Sequence, residues 1–448
     1  MPDAAMESAF RPMPLTALVT TDYAGITRGR AIPTATYEAD PARASTGWVP
    51  ANLSLTPFDV IADPNPWGSR GDLRLKADPQ ARYRTTIPGA QTPFDCVMAD
   101  IVALDGAPWP PCARGLLKAA LADLEAESGL RLVCAFEHEF QILGAGWAPA
   151  PAFGLFALRR ADPLGSVLAA CLEEAGIAPE TIIAEYGRDQ FEITSAPADA
   201  LVAADRAVAT REIVREVALR LGLRASFAPK TAVEGVGNGV HVHMSLVHPD
   251  GRPASFDPAR EGRLSDSMGA FLAGILRHAP ALVALTAPAP ISYLRLAPHH
   301  WSAAWTWLGD ADREATLRIC PTTTMGGRDP ARQFNVEYRA ADACAAPHLA
   351  LAMLVRAGIE GMRARLPTPP IVDTDPATLS DAERASLGLA RLPGSLSDAL
   401  AALEADPVAA GFLPEAALET YLGMKRAEIA IAGETLDEAL CARYAAIY

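Results

Sequence analysis

Five short segments of this chain alternate between apolar and polar side chains, and the polar positions carry residues with chemical capacity. Successive side chains on a strand point to opposite faces, so residues i and i+2 share one. In Cys134–Ile142, Glu137, Glu139 and Gln141 oppose Phe136, His138 and Phe140. In Gln190–Thr194, Gln190, Glu192 and Thr194 share a face. In Val240–Leu246 the polar set is His241, His243 and Ser245; in Glu314–Ile319 it is Glu314, Thr316 and Arg318. In Phe334–Arg339 it is Asn335, Glu337 and Arg339. A half-solvated surface strand gives the same alternation. These faces, however, lack lysine and are dominated by Glu, His, Gln, Ser and Arg, which points to a polar, partly enclosed cavity lined by a sheet.

Several carboxylates in one cavity cannot all ionise without counter-charge. Arginines supply some of it. Oxygen ligands with one imidazole suit Mg²⁺ or Mn²⁺ better than zinc. Metals and guanidiniums together fit a metal-dependent phosphoryl-transfer site.

The rest of the chain frames that cavity. With 448 residues, two or more domains are expected. Residues 1–105 are rich in Pro, Gly and short β-like runs such as Leu15–Thr21 and Cys96–Leu104, which predicts a small β-rich domain. From 106 to 448, amphipathic patterns predict helices over 113–128, 165–176, 197–222, 264–286, 346–366, 395–404 and 415–431. The fold class read from this is α+β.

A net charge of −14 argues against nucleic-acid binding, while local basic residues leave ATP binding open. Seven scattered cysteines without C-x-x-C spacing predict reduced thiols in a cytoplasmic protein. The first 13 residues lack the apolar run of a signal peptide. The apolar stretch Phe271–Leu285, broken by Arg277, His278 and Pro280, is too short and polar to span a bilayer.

Six motifs in order, from about Asp22 to Gly361, resemble those of the glutamine synthetase superfamily. G-x-E-x-E-F is matched by Ala135 to Phe140, and E…G-Q-x-E by Glu185 to Glu192. K-P…G-x-H-x-H-x-S-L is matched by Lys230 and Gly239 to Leu246, and N-S-Y-x-R-L by Ile291 to Leu296. N-R-x-x-x-x-R is matched by Asp312 to Arg318, and the final E-x-R…D…P-x-L-A-L-A by Glu337-Tyr338-Arg339, Asp342 and Pro347 to Ala352.

The resemblance implies a β-grasp N-terminal domain followed by a catalytic domain with a curved antiparallel sheet flanked by helices. It implies ATP and two or three Mg²⁺ or Mn²⁺ ions per site. Glu139, Glu185 and Glu192 would hold one metal, and Glu137, His241 and Glu337 another. His243, Ser245, Arg313 and Arg318 would lie at the nucleotide. Arg339 would act on the carboxylate being phosphorylated, and Arg295 and Gly237 would position the amino acid, expected to be glutamate. A ring-shaped homo-oligomer, with a dodecamer favoured, is implied as well.

The departures concern the second substrate. The family's loop Glu, six residues after the Arg of N-S-Y-x-R-L, is Trp301 here. The D-G-S-S segment that helps bind ammonium is not recognisable. Val236, Asp189 and Ile291 also replace family residues. Trp301 suits an organic amine through apolar or cation–π contact, or else packs the loop against a neighbouring subunit. His299 and His300 are either a base for the amine or surface histidines. The expected function is an ATP-dependent carboxylate–amine ligase joining glutamate to a small amine. The alternatives are an ammonia-using glutamine synthetase with a rearranged ammonium site, or a catalytically silent relative with a structural or regulatory role.

Overall fold

A computed structural model describes residues 11–448; most of the stretch read for a signal peptide lies outside them. The N-terminal sheet contains β1 (Leu15–Thr21), β2 (Thr27–Pro33), β3 (Ser45–Trp48), β4 (Leu73–Thr85) and β5 (Phe94–Val102). Their order is β2-β1-β5-β4-β3, with β1 and β5 parallel in the middle and the other pairs antiparallel. Leu18, Trp48, Leu75, Val97 and Ile101 fill its core. In β4, Asp78-Pro79 interrupts the alternation, and a register shift between Ala77 and Arg82 absorbs it.

The second sheet has nine strands. They are β6 (Arg131–Leu143), β7 (Pro179–Ala184), β8 (Gln190–Ser195), β9 (Ala198–Asp199), β10 (Arg224–Ser226), β11 (Val240–Val247), β12 (Leu308–Asp310), β13 (Leu317–Ile319) and β14 (Val336–Tyr338). The main path runs β12-β13-β14-β11-β6-β8-β7, with β9 and β10 also on β6. All pairs are antiparallel except β12 with β13, so the expected antiparallel sheet is in fact mixed at one edge. The strand expected from Glu314 begins only at Leu317. The Asp312 carboxylate accepts the Glu314 N–H and turns the chain there, which takes Glu314 off the ladder, while the Thr316 carbonyl still accepts the Arg339 N–H at 2.9 Å.

Helices cover the apolar face. The predicted segments form helices at Ala113–Ser128, Leu164–Glu174, Ala200–Arg220, Asp266–Thr286, Pro347–Arg363, Leu396–Ala405 and Glu415–Ala432. Asp266–Thr286 is long and apolar enough to cross a membrane, but 83% of its most apolar window is buried inside the protein. It lies directly on Pro347–Arg363. A Cβ on Gly274 would meet the Ala357 carbonyl oxygen at 2.0 Å, and one on Gly361 would meet that of Ala270 at 2.1 Å. Only glycine permits this approach.

Buried polar links tie the N-terminal sheet to the catalytic layer. Arg114 reaches Asp78 and Asp205 at 2.8 Å and Asp100 at 3.0 Å, and Asp205 also takes His348 Nε2 at 2.7 Å. Arg211 donates to the carbonyls of Gly25 and Ala343. The Tyr448 hydroxyl donates to the carbonyl of Ala24.

Candidate active site

Strand register builds one polar surface across five neighbouring strands. Glu192 on β8 lies opposite Glu139 on β6, and Glu137 on β6 lies opposite His241 on β11. His243 on β11 lies opposite Glu337 on β14, which lies opposite Arg318 on β13. Behind these residues, Phe136, Phe140, Val242, Met244, Val336 and Tyr338 are buried in the core. Alternation therefore fixes the direction of each functional side chain, and the ladder fixes its neighbour.

His241 Nδ1 lies 2.8 Å from Glu137 Oε1 and 3.3 Å from Glu337 Oε1. Glu137, Glu192 and His241 offer ligand atoms within 4.8 Å of one another. Glu137 and His241 thus converge with Glu192, a member of the other expected metal set. Glu139 Oε2 accepts the Gly239 N–H at 2.6 Å, and Glu185 Oε2 accepts that of Tyr186 at 2.9 Å. Glu337 pairs with Arg318 Nη1 at 2.9 Å and with Arg339. Ser245 Oγ donates to the Phe334 carbonyl, and His243 Nδ1 meets Asn335 Oδ1 at 2.9 Å.

The carboxylates differ sharply in their protonation. Burial pushes Glu192 up, and the charges of Glu137 and Glu139 push it further, to about 10. Burial likewise raises Glu185, against the Tyr186 N–H. Glu337 is opposed by burial, yet His241 and Arg339 bring it down to about 2. Glu137 also resists burial and is held well below the usual range by His241 and His243. By itself the protein relieves the crowding of negative charge at the Glu192 end of the surface by keeping that acid protonated. That donor set of carboxylates with one imidazole fits divalent cations.

Arg295 is fully buried. It donates to Ser302 Oγ at 3.1 Å and to the Ala341 carbonyl at 2.7 Å, and its Nε has no partner. A Cβ on Gly237 would lie 2.6 Å from Arg295 Cγ. Arg313 is exposed, with its guanidinium 5.9 Å from the Trp301 ring centre. Trp301 is 60% exposed.

Two family models match: the glutamine synthetase N-terminal domain over residues 4–109, and the glutamine synthetase catalytic domain over residues 110–444. The chain belongs to the glutamine synthetase family. It is 34% identical over 442 residues to the gamma-glutamylpolyamine synthetase GlnA3 of Streptomyces coelicolor, covering 95% of this chain and 92% of the relative. The glutamine synthetase of Thermococcus kodakarensis is 32% identical, covering 87% of this chain and 83% of that one. Among solved structures, a novel glutamine synthase homolog matches with a TM-score of 0.90 at 46% identity, covering 98% of this chain and 99% of that chain. GmaS in complex with ADP matches with a TM-score of 0.77 at 29% identity, covering 97% and 98%.

As a glutamine synthetase family member, the protein is an ATP-dependent ligase that forms C–N bonds, and the family uses ATP with Mg²⁺ or Mn²⁺. Sequence reasoning missed one residue beside this surface and misplaced another. Cys320 Sγ lies 3.7 Å from His243 Nδ1 and 3.8 Å from Glu337 Oε2. It stands two positions after Arg318, so alternation already pointed to it. Glu314 left the sheet altogether, and only the turn at Asp312 signals where it went. Asp189 sits at φ 54° in the turn before β8 and pairs with Arg160 at 2.6 Å. His138 is buried, stacks on Phe136, and is pushed by burial down to about 3. His299 is an exposed loop residue 3.7 Å from Asp375.

Proposed function

We propose that this chain is a γ-glutamyl–amine ligase, joining the γ-carboxylate of glutamate to a small organic amine through a γ-glutamyl phosphate. The observation that carries the reading is a contrast. The residues suited to activating a carboxylate share one five-strand surface, while the loop position expected to hold an ammonium-binding acid holds Trp301. The printed name of the Streptomyces relative, a gamma-glutamylpolyamine synthetase, supports it.

In this reading Glu137, Glu139, Glu185, Glu192, His241 and Glu337 hold two or three divalent ions. Bound there, the ions neutralise phosphate charge and act as Lewis acids. Arg313, Arg318, His243 and Ser245 bind and orient the nucleotide. Arg295 keeps a buried, unpartnered Nε–H for the amino acid's carboxylate, and Gly237 leaves room for that guanidinium. Arg339 orients the γ-carboxylate and stabilises the charge that develops on it. Activation is required because oxide is a poor leaving group; phosphate leaves when the amine attacks. The same reading carries a ring-shaped homo-oligomer in which neighbouring subunits complete each site.

The test is phosphate release from ATP with glutamate and a panel of alkylamines, polyamines, ethanolamine, aromatic amines and ammonia. An organic amine is expected to exceed ammonia by at least about tenfold in kcat/KM. Equal rates with ammonia would identify an ammonia-using enzyme, and no release with any amine would identify a silent one.

Metal loading gives an independent check. Glu192 holds its proton up to about pH 10. A proton on a ligand competes with the metal. Binding of Mn²⁺ at pH 7 is therefore expected to release about one proton per site from this residue, and affinity is expected to rise with pH between 7 and 9. Titration calorimetry in buffers of different ionisation enthalpy measures the release. A heat independent of the buffer would rule Glu192 out as a ligand.

A further inference from the structure

The loop that carries Trp301 is tied down by a side chain outside the proposed metal, nucleotide and amino-acid sets. The Glu314 carboxylate accepts two backbone N–H groups from this loop, His299 at Oε2 (3.0 Å) and Trp301 at Oε1 (2.6 Å). Both residues have left-handed backbone, φ 64° at His299 and φ 51° at Trp301. Non-glycine residues adopt that conformation only when something holds them there. A carboxylate gripping both amides is such a constraint, and each bond is charge-assisted.

The other side of the loop is tied to the catalytic surface. The Trp301 carbonyl accepts from Arg339 Nη2 at 3.1 Å, Arg339 Nη1 pairs with Glu337, and Arg339 Nε donates to the Arg313 carbonyl at 2.9 Å. The Arg313 guanidinium lies over the Trp301 ring. Glu314 itself is well anchored. Its N–H is held by Asp312, and its carbonyl accepts from Trp307 Nε1 at 3.1 Å. A rigid turn thus presents a carboxylate to a strained loop, and the loop in turn touches the arginine next to Glu337.

We infer that Glu314 is a positioning residue that latches the Trp301 loop against Arg339, and so shapes the side of the site that receives the amine. The inference rests on the γ-glutamyl–amine reading for its substrate, but the latch itself does not. Where the family resemblance expects an acid on the loop, this chain has the acid on the facing turn, bonded to the loop's backbone. The carboxylate sets the loop's shape, and the indole at 301 is what the loop displays.

The test uses the full-length, metal-loaded protein and the variants Glu314→Ala and Glu314→Gln. Hydrogen–deuterium exchange of the peptide spanning 298–302 reads the latch without any amine. In Glu314→Ala the amides of His299 and Trp301 are expected to exchange at least about tenfold faster, and Glu314→Gln, which keeps one acceptor oxygen, is expected to fall between. In steady-state kinetics the KM for the best nucleophile is expected to rise about tenfold. The KM values for ATP and glutamate, and kcat at saturating nucleophile, should stay within about threefold. Unchanged exchange in Glu314→Ala would overturn the latch. Faster exchange with an equal rise in all three KM values would overturn the amine-side role. If ammonia proves the best nucleophile, the amine reading fails while exchange still decides the latch.

Discussion

Glu337→Ala is expected to lose more than about 10³-fold in turnover and to weaken the fold as well. Glu337 is almost completely buried and is the common partner of Arg318, Arg339 and His241. Removing it deletes a proposed metal ligand and leaves two buried guanidiniums without their carboxylate. Breaking a buried pair from one side typically costs about 3–5 kcal/mol. Glu192→Gln should behave oppositely in the metal-free protein. Glu192 has like charges around it and is raised from 4.5 to about 10. An acid raised in the folded state stabilises fully below its unfolded pKa, and that contribution is lost as pH rises toward the folded value. Metal-free wild type is therefore expected to lose stability between pH 5 and 9, with this slope reduced in Glu192→Gln, which is nonetheless inactive. Thermal melting across pH and phosphate release separate the two variants. A Glu337→Ala protein with near-normal turnover would remove Glu337 from the proposed mechanism.

Gly237→Ala is expected to damage amino-acid binding selectively. The added Cβ would lie 2.6 Å from Arg295 Cγ, 2.8 Å from Cδ and 3.2 Å from the Pro229 carbonyl oxygen. Arg295 cannot easily retreat, because it is fully buried and bonded to Ser302 and Ala341. The guanidinium must shift by a substantial fraction of an ångström. Misplacement of about 1 Å in a binding group can cost about 10²-fold. The KM for glutamate is expected to rise by that order, with the KM for ATP little changed, since the atoms nearest the added Cβ belong to Arg295 and Pro229. An unaltered glutamate KM would show that Arg295 does not hold the amino acid.

What could be read from the sequence depended on how local each signal was. The helices at 113–128, 264–286 and 346–366 could be placed within a few residues because a 3.6-residue apolar period is written along a continuous segment. β6, β8 and β11 were legible through alternation, as was the direction of Glu137, Glu192 and His241. The short run at 314–319 was overread, because its first polar position, Glu314, belongs to a turn made by Asp312. β4 was not recognised as one strand, since Asp78-Pro79 hides its continuity. The convergence of Glu137, Glu192 and His241 was not legible from alternation at all. It depends on β6 pairing with β11 some hundred residues later, and cross-strand register between distant segments is written in no single window. The latch at Glu314 was hidden for another reason: it joins a side chain to loop backbone, and neither periodicity nor alternation records such a bond.

The bond from Tyr448 to Ala24 spans nearly the whole chain. Together with Arg211, which reaches Gly25, it makes the first hairpin's turn dependent on residues far along the chain. Loop-closure entropy has to be met before such distant contacts return any stability. The strands of the N-terminal sheet can pair locally, but the turn between β1 and β2 gains the Tyr448 anchor only once the helix Glu438–Ile447 docks. The β1–β2 turn should therefore be among the last parts of this fold to become protected.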